Sequence, residues 1–119
     1  MAQATKRTKK YHIVFRIRIF DEKDNYVGKG RVELLELVQK FGSINKAAAE
    51  MKMSYRQAWQ MVEEMNKIAG APLVEKNLGG KGGGGTKVTP TGEKAIQVFR
   101  QVESEVTQFT EQLSKKIRL

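Results

Sequence analysis

Hydrophobic and polar positions change period several times along the chain, and each change predicts an element. From Tyr11 to Phe20 they alternate: Ile13, Phe15, Ile17 and Ile19 fall on one side, His12, Arg16 and Arg18 on the other. That is the period of a strand covered on one face. DEKDN reads as a turn, and Tyr26-Val27 begins a short return strand. Two strands alone are barely stable, so this hairpin must lean on helices or on a second chain. The period then lengthens. Leu34, Leu35, Val38 and Phe41 are spaced as on a helix over about 31–41, which Gly42 ends by adopting a left-handed conformation without steric cost.

From Gly42 to Gly70 the pattern predicts two helices and a short turn. Ser43 and Ser54 are the N-caps, since a serine hydroxyl accepts from otherwise unpaired N–H groups of a first turn. Ala47, Ala48 and Ala49 permit close helix crossing, and Ala58, Val62, Met65 and Ile68 or Ala69 form the core stripe of the second helix. Tyr55, Arg56, Gln57, Trp59 and Gln60 lie off that stripe. Such a pair is either an ordinary helical hairpin or a helix-turn-helix whose second helix enters a DNA major groove. In the second case its N-terminal end must lead, because Glu63 and Glu64 in its second half would be repelled by phosphate.

The residues after Gly70 favour the second case. Pro72 to Lys76 is extended, NLGGKGGGGTK holds six glycines in eleven residues, and Val88-Thr89 returns as a strand. A glycine-tipped hairpin directly after a helix-turn-helix is the wing of a winged helix. The last helix, capped by Thr89 or Thr91, is predicted over about 91–117, with Ile96, Phe99, Val102, Val106, Phe109, Leu113 and Ile117 on one seam. At about 1.5 Å per residue it spans roughly 40 Å, longer than one small domain needs. The simplest cover for its outer half is the same helix of a second copy. Ile17, Ile19, Phe99, Val102, Val106, Phe109 and Leu113 are the predicted dimer contacts. The fold class is thus mainly α with small β hairpins: a winged helix-turn-helix over 11–119 with an N-terminal strand hairpin and a long C-terminal dimerisation helix, preceded by a disordered basic tail over 1–10.

Composition sharpens the partner. The 119 residues carry a net charge of +9, which favours a polyanion, nucleic acid before an anionic membrane. The first twenty residues hold six lysines or arginines and no acid, so most of the excess lies ahead of the helix pair. No signal peptide or membrane span is expected, since no long apolar run follows the basic start. The absence of cysteine excludes disulfides and thiolate metal sites and suits a reducing cytosol. His12, the single histidine, has no histidine partner and reads as a half-exposed strand residue rather than a ligand or base. The glycine run is not a phosphate loop: Lys81 is followed by Gly82 rather than by serine or threonine, and no helix begins there. No metal, cofactor or enzymatic activity is expected.

Several motifs are specific enough to carry a resemblance: GSI-x-x-AA, MSY-x-x-AW and the following MN, PLVE, GGKGGGG, and the T-x-x-G after the wing. Together they resemble the N-terminal DNA-binding domain of the ModE family of molybdate-responsive bacterial transcription regulators and, more remotely, the LysR-type winged helices. The resemblance covers roughly half to two-thirds of the chain. It implies a dimer on palindromic operator DNA, with Ser54, Tyr55, Arg56 and Gln57 facing the major groove and Lys81 in a wing against backbone or minor groove. Full-length ModE proteins also carry molybdate-binding domains, for which 119 residues leave no room. The oxyanion is therefore not expected to bind this chain by itself.

The expectation is a cytoplasmic, homodimeric, sequence-specific DNA-binding regulator. Arg56 is the base reader, because its fork matches guanine O6 and N7. Tyr55, Gln57 and Gln60 add contacts beside it, Ser54 reaches a phosphate, and Lys46, Lys52, Lys81 and Lys87 position the protein on the backbone. A non-specific architectural DNA-binding protein and a protein-interaction adaptor are the competing classes. Trp59 is open between DNA and core.

Overall fold

The computed structural model describes residues 9–77 and 85–119. The elements run β1 (Arg18–Phe20), β2 (Tyr26–Gly28), α1 (Lys29–Phe41), α2 (Ile44–Glu50), α3 (Tyr55–Met65), β3 (Val74–Asn77), β4 (Gly85–Val88) and α4 (Pro90–Ser114). This is a winged helix-turn-helix with an added N-terminal hairpin and a long last helix. No described helix is long and apolar enough to cross a membrane.

The first hairpin pairs Arg18 with Gly28, Ile19 with Val27 and Phe20 with Tyr26. Its turn is built around Asp21, whose Oδ1 accepts from the Lys23 and Asn25 N–H groups at 2.8 and 2.9 Å. The Asn25 side-chain amide donates to Oδ2 and is the main cause that lowers the carboxyl's pKa; burial opposes it, and the two N–H groups assist. The strand expected from Tyr11 is only three residues long. Residues 11–17 keep the alternation of half-buried and exposed side chains but pair with no described strand. They run beside α4 instead, where the Tyr11 hydroxyl donates to the Leu119 carbonyl.

Helix α1 starts two residues earlier than its apolar spacing predicted. It buries Val32, Leu34, Leu35 and Val38 completely, while Phe41 is only half-buried. Each such side chain contributes about 1.5–3 kcal/mol when removed from water. Gly42 ends the helix with φ of 64°, its N–H donating to the Val38 carbonyl. Both serine caps form: Ser43 Oγ accepts from Lys46 N and Ser54 Oγ from Gln57 N.

Helix α3 buries Ala58, Val62 and Met65 but stops there, short of the predicted Gly70. The cause is Asn66. Its Oδ1 accepts from the Leu73 N–H at 2.8 Å and the Val74 N–H at 3.3 Å, drawing the chain into the wing. Ile68 still packs on the core, but from an irregular segment.

In the wing, Val74 pairs with Val88, Glu75 with Lys87, Lys76 with Thr86 and Asn77 with Gly85. The return strand therefore begins before Val88, and Thr89 belongs to the next helix as its cap. Thr86 stitches the wing to the body: its N–H donates to the Gly42 carbonyl, and its Oγ1 accepts from Ile44 N. The glycine-rich tip expected to lie between the strands falls outside the described residues, as do residues 1–8 of the expected basic tail.

Helix α4 is rooted by Thr89. The Thr89 hydroxyl donates to the Pro72 carbonyl and accepts from Gly92 N. Ile96 and Phe99 enter the core. Phe99 is 1% exposed, which corrects its expected place in a dimer interface: its ring is consumed by its own domain. Ile17 and Ile19 likewise rest partly on that core. Val102 and Val106 are half-buried, whereas Phe109 and Leu113 are exposed. The helix ends at Ser114 rather than near Ile117, because Lys116 N and Ile117 N bond three residues back and tighten the last turn. Arg100 ties α4 to α1. Its Nη2 and Nε donate to Glu36 Oε1 and Oε2 at 2.6 and 3.1 Å, and its Nη1 donates to Glu103. Glu36 first and Glu103 second hold the guanidinium still more firmly protonated than usual.

Candidate nucleic-acid interface

A serine cap leaves a helix entrance polar and outward-facing, and the start of α3 follows that rule. Ser54, Tyr55, Arg56, Gln57 and Gln60 are all exposed, Tyr55 at 50%. The core stripe one turn away at Ala58, Val62 and Met65 fixes this orientation. Tyr55, Arg56, Trp59, Gln60 and Glu63 line a shallow hollow on the outer surface of α3. Arg56 takes part in none of the ion pairs among the described residues. Its fork is free for a ligand.

The acids in the second half of α3 differ from each other. Glu63 is exposed. Glu64 Oε1 accepts from Arg31 Nη2 at 2.5 Å, and Arg31 is largely buried, its guanidinium carbon 3.9 Å from the Tyr26 ring centroid. One of the two charges that oppose phosphate is thus neutralised from within. Arg31 lies 33 residues from its partner, so no local pattern signals the pair.

The predicted phosphate contacts are spread around this face. Lys46 is exposed on α2, Lys52 is exposed in the turn before Ser54, and Lys87 is exposed on β4 opposite Glu75. Lys81 lies outside the described residues. Lys52 has φ of 58°, a left-handed conformation that costs an ordinary side chain about 1–2 kcal/mol. The turn requires it, since the Lys52 and Met53 N–H groups bond back to Ala49 and Ala48. Lys52→Gly is expected to stabilise the fold by about 1 kcal/mol in denaturant titrations. It is also expected to weaken DNA binding at low salt by removing a cation.

The sequence profile of the bacterial regulatory helix-turn-helix proteins of the lysR family matches residues 30–93, from the start of α1 to the first turn of α4. The chain belongs to this family. Within the LysR-type frame, α3 is the recognition helix and β3–β4 the wing. The chain is 46% identical over 78 residues to the transcriptional regulator ModE of Haemophilus influenzae, covering 66% of this chain and 31% of that protein. It is 40% identical over 93 residues to the molybdenum-pterin-binding protein MopB of Rhodobacter capsulatus, covering 78% and 34%. Against the DNA-binding transcriptional dual regulator ModE of Escherichia coli it is 41% identical over 69 residues, covering 58% and 26%. The chain spans about a third or less of the length of these relatives.

Three features of the site escaped the sequence pattern. The Arg31–Glu64 pair and the Thr86 stitch join residues far apart in the chain. Trp59 is neither simply core nor simply surface: it packs against the core cluster, and Lys76 Nζ lies 4.9 Å from its ring centroid.

Proposed function

We propose that this protein is a sequence-specific regulator of transcription that binds double-stranded DNA as a homodimer, in the cytoplasm, on a palindromic operator. The observation that carries this is the entrance of α3, where a capped first turn presents Tyr55, Arg56 and Gln57 to solvent with the Arg56 fork in no ion pair among the described residues. Arg56 reads guanine through its bidentate fork. Tyr55, Gln57 and Gln60 flank it, and Ser54, Lys46, Lys52, Lys81 and Lys87 bind backbone. Val102, Val106, Phe109 and Leu113, with Ile17 and Ile19 beside them, pair the two copies. Of these, Phe109 is 62% exposed and has the most surface to offer. Two recognition helices about 34 Å apart then read half-sites one turn apart. No cofactor takes part. Molybdate is given no site on this chain, because the cations of the described surface are dispersed over the N-terminal segment, all four helices and the wing.

The test is selection of bound duplexes from a random pool, followed by titration of the best site and a shuffled duplex at one salt concentration. The expected sites are palindromic, with affinity at least about a thousand times that for the shuffled duplex. A ratio near one identifies an architectural DNA-binding protein instead. Sedimentation of free protein and complex should give two protein chains per duplex.

A further inference from the structure

Trp59, the sole tryptophan, occupies an unusual position on α3. Its indole Nε1 is shut off from water and finds no hydrogen-bond partner among the described residues, although a buried tryptophan N–H ordinarily has one. Hydrogen bonding therefore does not explain the indole here. Its ring faces do more. Tyr55 packs against it edge-on, with centroids 6.3 Å apart and planes at 73°, and Lys76 Nζ sits 4.9 Å from its centroid. Tryptophan is the best aromatic partner for a cation.

Lys76 comes from β3, the outgoing strand of the wing. Its backbone is held in place through Thr86, its partner across the hairpin, which is bonded to Gly42 and Ile44. A lysine side chain on an exposed strand otherwise samples many rotamers, and that freedom is lost when it is fixed. The indole restrains the ammonium without consuming its three donors. Glu63 lies on the rim of the hollow and Glu75 next to Lys76 along β3, and neither forms an ion pair with it. The result is a localised cation at the seam between recognition helix and wing, beside the hollow that holds Arg56.

We propose that Lys76 binds a DNA phosphate and that Trp59 is its positioning residue, setting the ammonium so that backbone anchoring and base reading by α3 share one register. This rests on the protein's being a DNA-binding regulator.

The experiment is a double-mutant cycle on the full chain with Lys76→Gln, Trp59→Leu, Trp59→Phe and the Lys76→Gln/Trp59→Leu pair. Each is titrated against the selected duplex and a shuffled one from 50 to 200 mM salt. Lys76→Gln should weaken both duplexes alike, by about 3–10-fold near 100 mM, and lower the salt slope by about one per protomer. Trp59→Leu should cost a similar factor, Lys76→Gln should add little to it, and Trp59→Phe should retain most of the affinity by keeping a ring face. In protein without DNA, Lys76→Gln should shift the Trp59 fluorescence, a readout independent of folding yield and of DNA. Losses that multiply in the double variant overturn the positioning role. An unchanged salt slope in Lys76→Gln overturns the phosphate contact. Failure of the wild-type protein to bind either duplex overturns the DNA-binding reading and this proposal together. A normal wild-type titration with a flat cycle overturns this proposal alone.

Discussion

Gly92→Ala is expected to cost at least about 3 kcal/mol and to lower the melting temperature by about 10 °C or more. An added Cβ would lie well inside van der Waals contact of the Leu73 carbonyl oxygen and 2.7 Å from Val88 Cγ1. The obstacle is main chain, which cannot rotate aside as a side chain can. Leu73 O also accepts from Thr89 N, and the Thr89 hydroxyl is bonded to Pro72 O. Moving Leu73 therefore strains two hydrogen bonds, each with a net value of about 1 kcal/mol, in addition to the overpacking. Small domains have only about 5–15 kcal/mol in total. Gly30→Ala is the control. Nothing lies within 4 Å of its Cβ, and in the first turn of α1 alanine should add about 0.5–1 kcal/mol. Denaturant titration of the two variants side by side checks both signs.

Arg56→Ala is expected to lose about 1–3 kcal/mol of affinity for the selected duplex, roughly 5–150-fold, and far less for a shuffled one. Arg56 has no ion-pair partner among the described residues to release, so the loss reflects its contact with DNA rather than a rearrangement of the protein. Arg56→Lys should not restore discrimination, because an ammonium keeps the charge but lacks the planar fork. Equal losses on both duplexes would assign Arg56 to phosphate. Binding titrations at fixed salt distinguish these outcomes.

Local chemistry explains which parts of this fold were legible in the sequence. The serine caps are contacts over three residues, and the stripe at Ala58, Val62 and Met65 is a matter of period, so both could be read directly. The exposed entrance of α3 followed from them. Alternation over Tyr11–Phe20 records which side chains are covered, but not whether a second strand is present. The cover over 11–17 is a helix, and the ladder stops at Arg18. The seam of α4 places Phe99 and Phe109 on one line without saying that one enters the core and the other meets solvent. The end of α3 depends on Asn66 reaching seven residues ahead. The T-x-x-G after the wing was recognisable as a pattern, yet its reason, the approach of Leu73 to Gly92, lies in tertiary structure alone.

Helix α1 carries two charged clasps, one in its first turn and one at its middle. Arg31 grips Glu64 on the recognition helix, and Glu36 grips Arg100 near the middle of α4. These thirteen residues thus act as a crank between the part that reads and the part that projects. A rotation of α4 against α1 would strain the Arg100–Glu36 pair, and a shift of α1 against α3 the Arg31–Glu64 pair. In a dimer paired as proposed, the distance between the two recognition helices would depend on how α1 is held at these two joints. Variants of Arg31 or Glu36 would then retune which half-site spacing is accepted before they diminish the grip on either half-site.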